Sequence, residues 1–476
     1  MTDDLRIHSG REPGPRPGGE LVLYWIQTTH RAHDNPALDF AVSQANALGL
    51  PLLVYHGLRH DYPWASDRLH TFILESVADL YREFEARGIQ YAFYLERART
   101  PGSASPLVAL AHRAALVVTD WFPTFIVPRQ VRTLRELTET PVIAVDACTI
   151  VPLRYHEKEF ISAAAFRPRV MAALPHFLAR RPEPEPRVRR PVDLPFQPTV
   201  PLAPVTLSEA EGPAPRREPG PGSIPHLVAS CDIDHSVAPS PLFRGGPAAA
   251  RERLRRFLHS GLPRYAEDRG DPNAGATSML SPYLHFGNLS AREVLLAARD
   301  AGPAVQFARF QDELVTWREL SFNFVHWNRK HRTVEAIPAW ALEELRRGEA
   351  DPRPALYGDA ELEEARTGDE LWNAAQRAYL RDGWMHNALR MLWGKAILQW
   401  TPNAADALRI LEHLNNKYAL DGRDPNSYAG IHWIFGKFDR PFYRRPIYGT
   451  VRYQSLKAAR KKFDVRAYLR RYTSAP

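Results

Sequence analysis

Cysteine is nearly absent from this chain of 476 residues: Cys148 and Cys231 are its only two. That excludes a disulfide framework and a cysteine zinc site. No metal site is expected, and two free thiols suit a reducing, cytoplasmic compartment. Long apolar runs are missing too, so no segment is expected to span a bilayer. The first twenty residues are polar and rich in Pro and Gly, without the apolar core of a signal peptide. Neither GxGxxG nor a Walker loop occurs, which leaves a phosphate-cradling role without motif support. What the chain does have is length, positive charge and tryptophan. Its length exceeds one ordinary core, so two domains are expected. Sixty-two Lys and Arg against 54 Asp and Glu give a net charge of +8, which suits a polyanionic partner. Eight of its 11 tryptophans follow residue 300: Trp317, Trp327, Trp340, Trp372, Trp384, Trp393, Trp400 and Trp433. Such a concentration fills cores, and it also suits an aromatic cofactor, a flat substrate or electron transfer.

Short apolar runs at 21–26, 51–55, 90–95, 115–119 and 141–145 alternate with helical spacing at about 37–48, 66–87, 105–114 and 127–138. Strands alternating with helices predict a doubly wound parallel sheet over 21–178, with ligands at the carboxyl ends of its strands. Residues 1–20 are expected to be a disordered segment. Residues 179–235, dense in Pro and Arg, predict a solvated inter-domain linker. From about 248 the pattern is helical, over 248–259, 290–300, 303–325, 338–347, 359–367, 371–399 and 403–417. A mostly α domain therefore fills 236–476. No internal repeat occurs.

Four segments carry chemistry. Within 371–400, Trp393 and Trp400 lie seven apart, two turns on one helix face with a rise of about 10 Å. Trp372, on the preceding stretch, can fold back beside them. Such a line of indoles relays electrons or, more plainly, packs a core. In 277–290, Thr277, Ser278 and Ser281 place hydroxyls and N–H groups in a turn suited to phosphate oxygens, and Ser290 can cap the next helix. In 311–324, Glu313 and Trp317 are four apart and share a helix face. An acid beside an indole suits a flat, hydrogen-bonding ligand; equally, Glu313 can pair with an arginine. In 414–453, Asp421 of the DGRDPN turn can pair with Arg390, and the tail from Arg452 to Arg471 concentrates Lys and Arg as a phosphate-binding or merely solvated face.

Taken together these segments resemble the photolyase/cryptochrome family, and within it the class II cyclobutane pyrimidine dimer photolyases. The resemblance runs from about 21 to 465. It is carried by ASDRLHTFILES (65–76), VVTDWFP (117–123), VDACTIVP (145–152), LSPYLHFG (280–287), LWNAAQR (371–377), LRMLWGKAILQWT (389–401) and LNNKYALDGRDPNSYAG (414–430). It implies an α/β antenna domain and an all-α FAD-binding domain. It further implies light-dependent repair of pyrimidine dimers in DNA by a cytoplasmic monomer, nucleoid-associated when bound, with FADH⁻ as the active cofactor. Tyr265, Thr277, Ser278, Leu280 and Ser281 would hold the FAD phosphates and ribityl chain. Arg390 and Asp421 would pair beside the isoalloxazine, and Asn415 would face its N5. Trp372, Trp393 and Trp400 match the electron relay. Glu313 matches the acid that hydrogen-bonds the dimer, Trp317 and Trp433 the wall of its pocket, and Tyr357 a tyrosine near that pocket. Asp439 and Arg440 match the pair that fills the hole left by the flipped lesion. Arg269 and Arg452 would contact substrate or DNA. A second chromophore, deazaflavin or folate, occurs in the family, but no motif here points to either.

The departures are specific. Family members usually carry Arg-Asn before Asp-Pro in the substrate loop; this chain has Arg269, Gly270, Asp271 and Pro272. Class II members usually have Lys-Met-His-Gly where this chain has Trp384, Met385, His386 and Asn387, which is similar to class I, whose matching asparagine contacts the dimer. Asn387 would then supply the amide missing at 270. Asn416 stands where the family usually has Asp. The rival readings are a cryptochrome-type blue-light sensor, a (6-4) photolyase and a non-catalytic nucleic-acid-binding module. Asn415 and the short tail after Arg471 count against the first, the lack of a second histidine beside His386 against the second, and Trp372, Trp393, Trp400 and Asn415 together against the third.

Overall fold

The computed structural model describes residues 4–8, 14–99, 105–179, 183–201 and 222–473. The apolar runs form one parallel sheet of β1 (Leu21–Ile26), β2 (Leu52–Leu58), β3 (Gln90–Leu95), β4 (Ala114–Asp120) and β5 (Val142–Val145), in spatial order β3-β2-β1-β4-β5. Every residue of β1 is buried because helices cover both faces, which is why parallel strands read as unbroken apolar runs. Helices α1 (Pro36–Leu48) and α2 (Asp67–Ala86) pack on the face of Val22, Tyr24 and Ile26. Helices α3 (Pro106–Arg113) and α4 (Val127–Leu137) pack on that of Leu21, Leu23 and Trp25. The winding reverses between β1 and β4. At that switch point Asp120 accepts the N–H groups of Gln27, Thr28 and Thr29 at 2.9, 2.8 and 3.0 Å. The carboxylate thus fixes the 27–29 loop at the crevice where such sheets commonly take ligands. Helix α5 (Ala163–Leu178) leads out of the domain.

Two irregular segments differ from expectation in their described parts. Residues 4–8 are not a free tail. Arg6 is buried and donates to the carbonyls of Asp146, Thr149 and Ile150, and Ile7 bridges to Val145 on the sheet edge. Residues 183–201 strap along β3 rather than hang in solvent: Gln90 brackets Val192 through both its N–H and its carbonyl, and Thr199 N–H donates to Phe93. The remainder of the Pro/Arg-rich connector, 180–182 and 202–221, lies outside the described residues.

The second half is helical. The helices that build the site are α6 (Ala291–Ala301), α7 (Ala304–Gln311), α8 (Arg318–Trp327), α9 (Glu370–Asp382), α10 (Asn387–Trp400), α11 (Ala404–Tyr418) and α12 (Pro425–Ile434). Ser290 caps α6, accepting from Glu293 N at 2.9 Å. The sequence predicts one helix over 303–325; a π-helical turn at Asp312–Trp317 separates α7 from α8. The sequence also predicts one helix over 371–399. The chain breaks instead at Gly383, whose left-handed φ of 69° ends α9, and restarts after His386, whose Nδ1 accepts from Ala388 N. This folds α9 back against α10. The break is held from the other domain. Buried Arg68 of α2 donates to the carbonyls of Tyr379, Leu380 and Arg381 at the end of α9, and to those of Tyr418 and Ala238. It satisfies carbonyls that a helix end leaves unpaired.

Candidate active site

A cavity of about 330 Å³ opens between the π-turn, α8, α10 and α12. Its floor is polar and its walls apolar. On the floor, Arg390 Nη2 lies 3.1 Å from both oxygens of Asp421, joining α10 to the turn before α12. Burial works against the Arg390 charge, but the Asp421 carboxylate outweighs it and holds the guanidinium above its ordinary pKa. Asn415 of α11 is held at both ends of its amide. Its Oδ1 accepts from Tyr379 Oη at 3.3 Å, and its Nδ2 donates to Asn416 Oδ1 at 3.1 Å. Asn416 thus makes a contact that an aspartate could also make, and its Oδ1 accepts from Arg423 N as well.

One rim is the turn Thr277–Ser281. Thr277, Ser278, Leu280, Ser281 and Tyr265 all line the cavity. The turn is made by Met279 at φ 53°, a left-handed conformation that strains a non-glycine residue; Phe438, also lining, has φ 65°. Such strain gathers at ligand sites. Tyr265 is wedged edge-on against Phe310, and burial pushes its hydroxyl up to about 12.

The opposite wall is aromatic. The Trp317 and Trp433 indoles stack on one another at 4.5 Å and 20°, so each covers one face of the other. Glu313 lines the cavity beside them, but it is not free: Arg269 Nη1 and Arg309 Nη2 donate to its Oε1 at 2.8 and 3.0 Å. Burial raises the Glu313 pKa while the two guanidinium groups oppose the rise. Arg309 was legible as the residue four before Glu313 on one helical stretch. Asn387 is exposed at the cavity mouth.

The three tryptophans form a file in the order Trp393, Trp372, Trp400. Trp393 lines the cavity, Trp372 stacks on it at 6.4 Å and 9°, and Trp400 meets Trp372 edge-on at 5.5 Å. Trp372 is therefore the middle member, because the hairpin at Gly383 slides it between the two indoles of α10. Tyr357 needs correction. It does not reach the cavity but packs edge-on against Trp400 at 5.2 Å, at the far end of the file, since the loop carrying it crosses the C-terminus of α10. Asp439 is half-buried, 3.9 Å from Arg452, and Arg440 beside it is exposed. Residues not expected from the sequence include Asp424, whose Oδ2 lies 3.1 Å from His285 Nδ1, and Gln376.

A family model described as DNA photolyase matches residues 22–187. A deoxyribodipyrimidine photo-lyase of Methanothermobacter thermautotrophicus is 36% identical over 474 residues, covering 99% of this chain and 98% of its own. One of Potorous tridactylus is 32% identical over 464 residues, covering 96% and 82%. The crystal structure of a class III photolyase from Agrobacterium tumefaciens shares the fold, with a TM-score of 0.64 over 95% of this chain and 86% of that one at 19% identity. Identity at this level along nearly the full length of both chains, on a shared two-domain fold, makes this protein an enzyme of the photolyase/cryptochrome family, among the deoxyribodipyrimidine photo-lyases.

Proposed function

We propose that the chain repairs cyclobutane pyrimidine dimers in DNA as a class II photolyase, with FAD in the cavity between α8, α10 and α12. The observation that carries the reading is the unbroken aromatic file from that cavity to Trp400, beside a two-indole wall. The residues present fit a flavin dinucleotide. Half-buried Arg390 lines the cavity with a buried Nε that lacks a protein partner, and its Asp421 counter-charge lines the same space. The hydroxyls of Thr277, Ser278 and Ser281 gather on one rim, as phosphates require.

FAD held there by Arg390, Asp421 and the Thr277–Ser281 rim would, when reduced, supply the reversible one-electron chemistry that dimer splitting needs. The chain's own part is positional. A dimer must leave the duplex stack to reach the cavity, at a cost of a few kcal/mol. The Trp317–Trp433 stack offers the flipped bases an apolar contact that excludes water. Arg269, paired with the cavity-lining Glu313, would place guanidinium charge beside the base carbonyl on which charge develops. Trp393, Trp372 and Trp400 carry electrons inward to restore the reduced state.

The test uses purified protein loaded with FAD, reduced, and mixed with an oligonucleotide holding one thymine dimer. Blue light should restore the thymine absorbance, and darkness should not. Retained dimers under light, with reduced FAD shown to be bound, would refute the proposal; so would repair confined to (6-4) lesions.

A further inference from the structure

Helix α9 presents Trp372, Gln376 and Tyr379 at positions i, i+4 and i+7, on one face. All three meet Trp393. Trp372 Nε1 donates to the Trp393 carbonyl at 3.0 Å, beneath the ring stack. Tyr379 meets the Trp393 ring edge-on at 5.5 Å and donates its hydroxyl to Asn415. Gln376 takes the remaining polar edge: Trp393 Nε1 donates to Gln376 Oε1 at 2.9 Å. Gln376 is 0% exposed, and its Nε2 donates to the Glu363 carbonyl at 3.1 Å. That second bond fixes the amide. Nε2 can only donate, so the oxygen is the end that faces the indole. LWNAAQR enters the family resemblance, yet the function above uses only its Trp372.

The geometry points to Gln376 as a positioning residue that makes Trp393 a readier electron donor to light-excited oxidised flavin while keeping its indole proton in place. The inference rests on the relay reading. When Trp393 gives one electron to the flavin, its indole becomes a cation and its N–H becomes a charged donor. A hydrogen bond with a charged partner is about twice as strong as a neutral one. The Gln376 oxygen therefore stabilises oxidised Trp393 more than it stabilises the resting indole. An amide oxygen is too weak a base to remove the proton, so no N–H bond breaks at Trp393. Trp393 recovers its electron from Trp372, whose N–H rests likewise on a carbonyl, and Trp372 recovers its own from Trp400. The balance is one electron gained by the flavin and one lost by Trp400. A free carboxylate at position 376 would instead compete for the proton and hold the hole at Trp393.

The test is flash photolysis of FAD-loaded holoenzyme, reading the yield of tryptophan radical by transient absorption, with FAD content and melting temperature as controls. Gln376→Leu keeps the bulk and removes the acceptor; Gln376→Met, which keeps the length, replaces it if the leucine variant loses FAD. Gln376→Glu, read at a pH low enough to protonate the new carboxyl, keeps an acceptor toward Trp393 and a donor toward the Glu363 carbonyl. The expected result is a radical yield about tenfold lower in Leu or Met, equivalent to about 1.4 kcal/mol, and within about twofold of the parent in Glu. Parental yield in a FAD-loaded Leu or Met variant overturns the inference. So does an equal loss in Glu, since that marks a packing defect. Trp393→Phe separates this from the reading beneath it: if that variant keeps the parental yield, the relay itself is wrong; if it abolishes the yield while Leu does not, only the role of Gln376 falls.

Discussion

Gly270 follows Arg269 in the loop beside the cavity, and a Cβ built on it meets nothing within 4 Å. An asparagine would therefore fit where the family usually has one. Asn387, the first residue of α10, stands exposed at the same mouth. A dimer drawn into the cavity buries carbonyl and imide groups, and an unmet buried polar group costs about 1–3 kcal/mol. Asn387→Gly should weaken binding to dimer-containing DNA by about tenfold and slow repair, with FAD content unchanged. Adding Gly270→Asn should recover part of the loss. Lesion affinity by fluorescence anisotropy and repair under saturating light decide it; repair by Asn387→Gly at the parental rate would leave the compensation idea without support. Single residues differed in how well the sequence exposed them. Arg390 was legible as a lone arginine among apolar neighbours that needs a partner, and Asp421 as a carboxylate fixed on the DGRDPN turn. Tyr357 was misread because sequence position does not reveal on which side of Trp400 a loop passes.

Elements were legible where apolar period and capping agree, as in β1, β3 and α6. They were not legible where periodicity runs on through a break. Apolar spacing over 371–399 persists across Gly383, so the hairpin of α9 and α10 is invisible locally. Its cause lies some 300 residues away: Arg68 of α2 holds the end carbonyls of α9. The π-turn at Asp312–Trp317 is hidden for a related reason. One extra residue per turn leaves composition unchanged while it rotates Glu313 and Trp317 to the cavity. Arg68→Met should be severely destabilising. It takes the guanidinium donor from the carbonyls of Leu380 and Tyr418, at about 1–3 kcal/mol each where water cannot enter, while the Tyr379 carbonyl keeps the Gly383 N–H and that of exposed Ala238 turns to water. A net loss of about 3 kcal/mol or more, read as a melting temperature lower by several degrees, is expected together with weaker FAD retention, because Tyr379 and Trp393 ride on that hairpin. Arg68→Lys should rescue little, since one ammonium cannot reach carbonyls spread around a planar fork. A lysine variant as stable as the parent would show that the hairpin holds itself.

The whole molecule responds to pH and salt through groups scattered over both domains. Burial lowers His8, His30 and His432 to about 3, and His70, His156 and His386 to about 4. Each is neutral in the fold and takes up a proton on unfolding once the pH is below about 6.5. Their stabilising contribution is complete above that pH and is lost as pH falls toward 3–4. Glu75 and Glu319, raised by burial to about 6 and about 7, act oppositely but are fewer. The melting temperature at fixed scan rate should therefore drop between pH 6.5 and 5; a flat or rising profile would mean these histidines are hydrated. Salt probes the outer surface. Arg452, Lys457, Lys461, Lys462, Arg466, Arg470 and Arg471 are exposed, whereas Arg460 is tied to Asp369 at 2.9 Å. The tail that bears them is not remote from the site, because Asn273 of the substrate loop donates to the Asp464 carbonyl at 2.8 Å. A duplex with its lesion in the cavity would pass along this flank. If about four phosphates are neutralised there, affinity for dimer-containing duplex should fall about a hundredfold between 50 and 200 mM salt. Lys461→Glu with Lys462→Glu should shallow the log–log slope by about two while leaving FAD bound. A salt-independent affinity would remove DNA as the partner of this surface, and an unchanged slope in the double variant would move the DNA path to another face of the molecule.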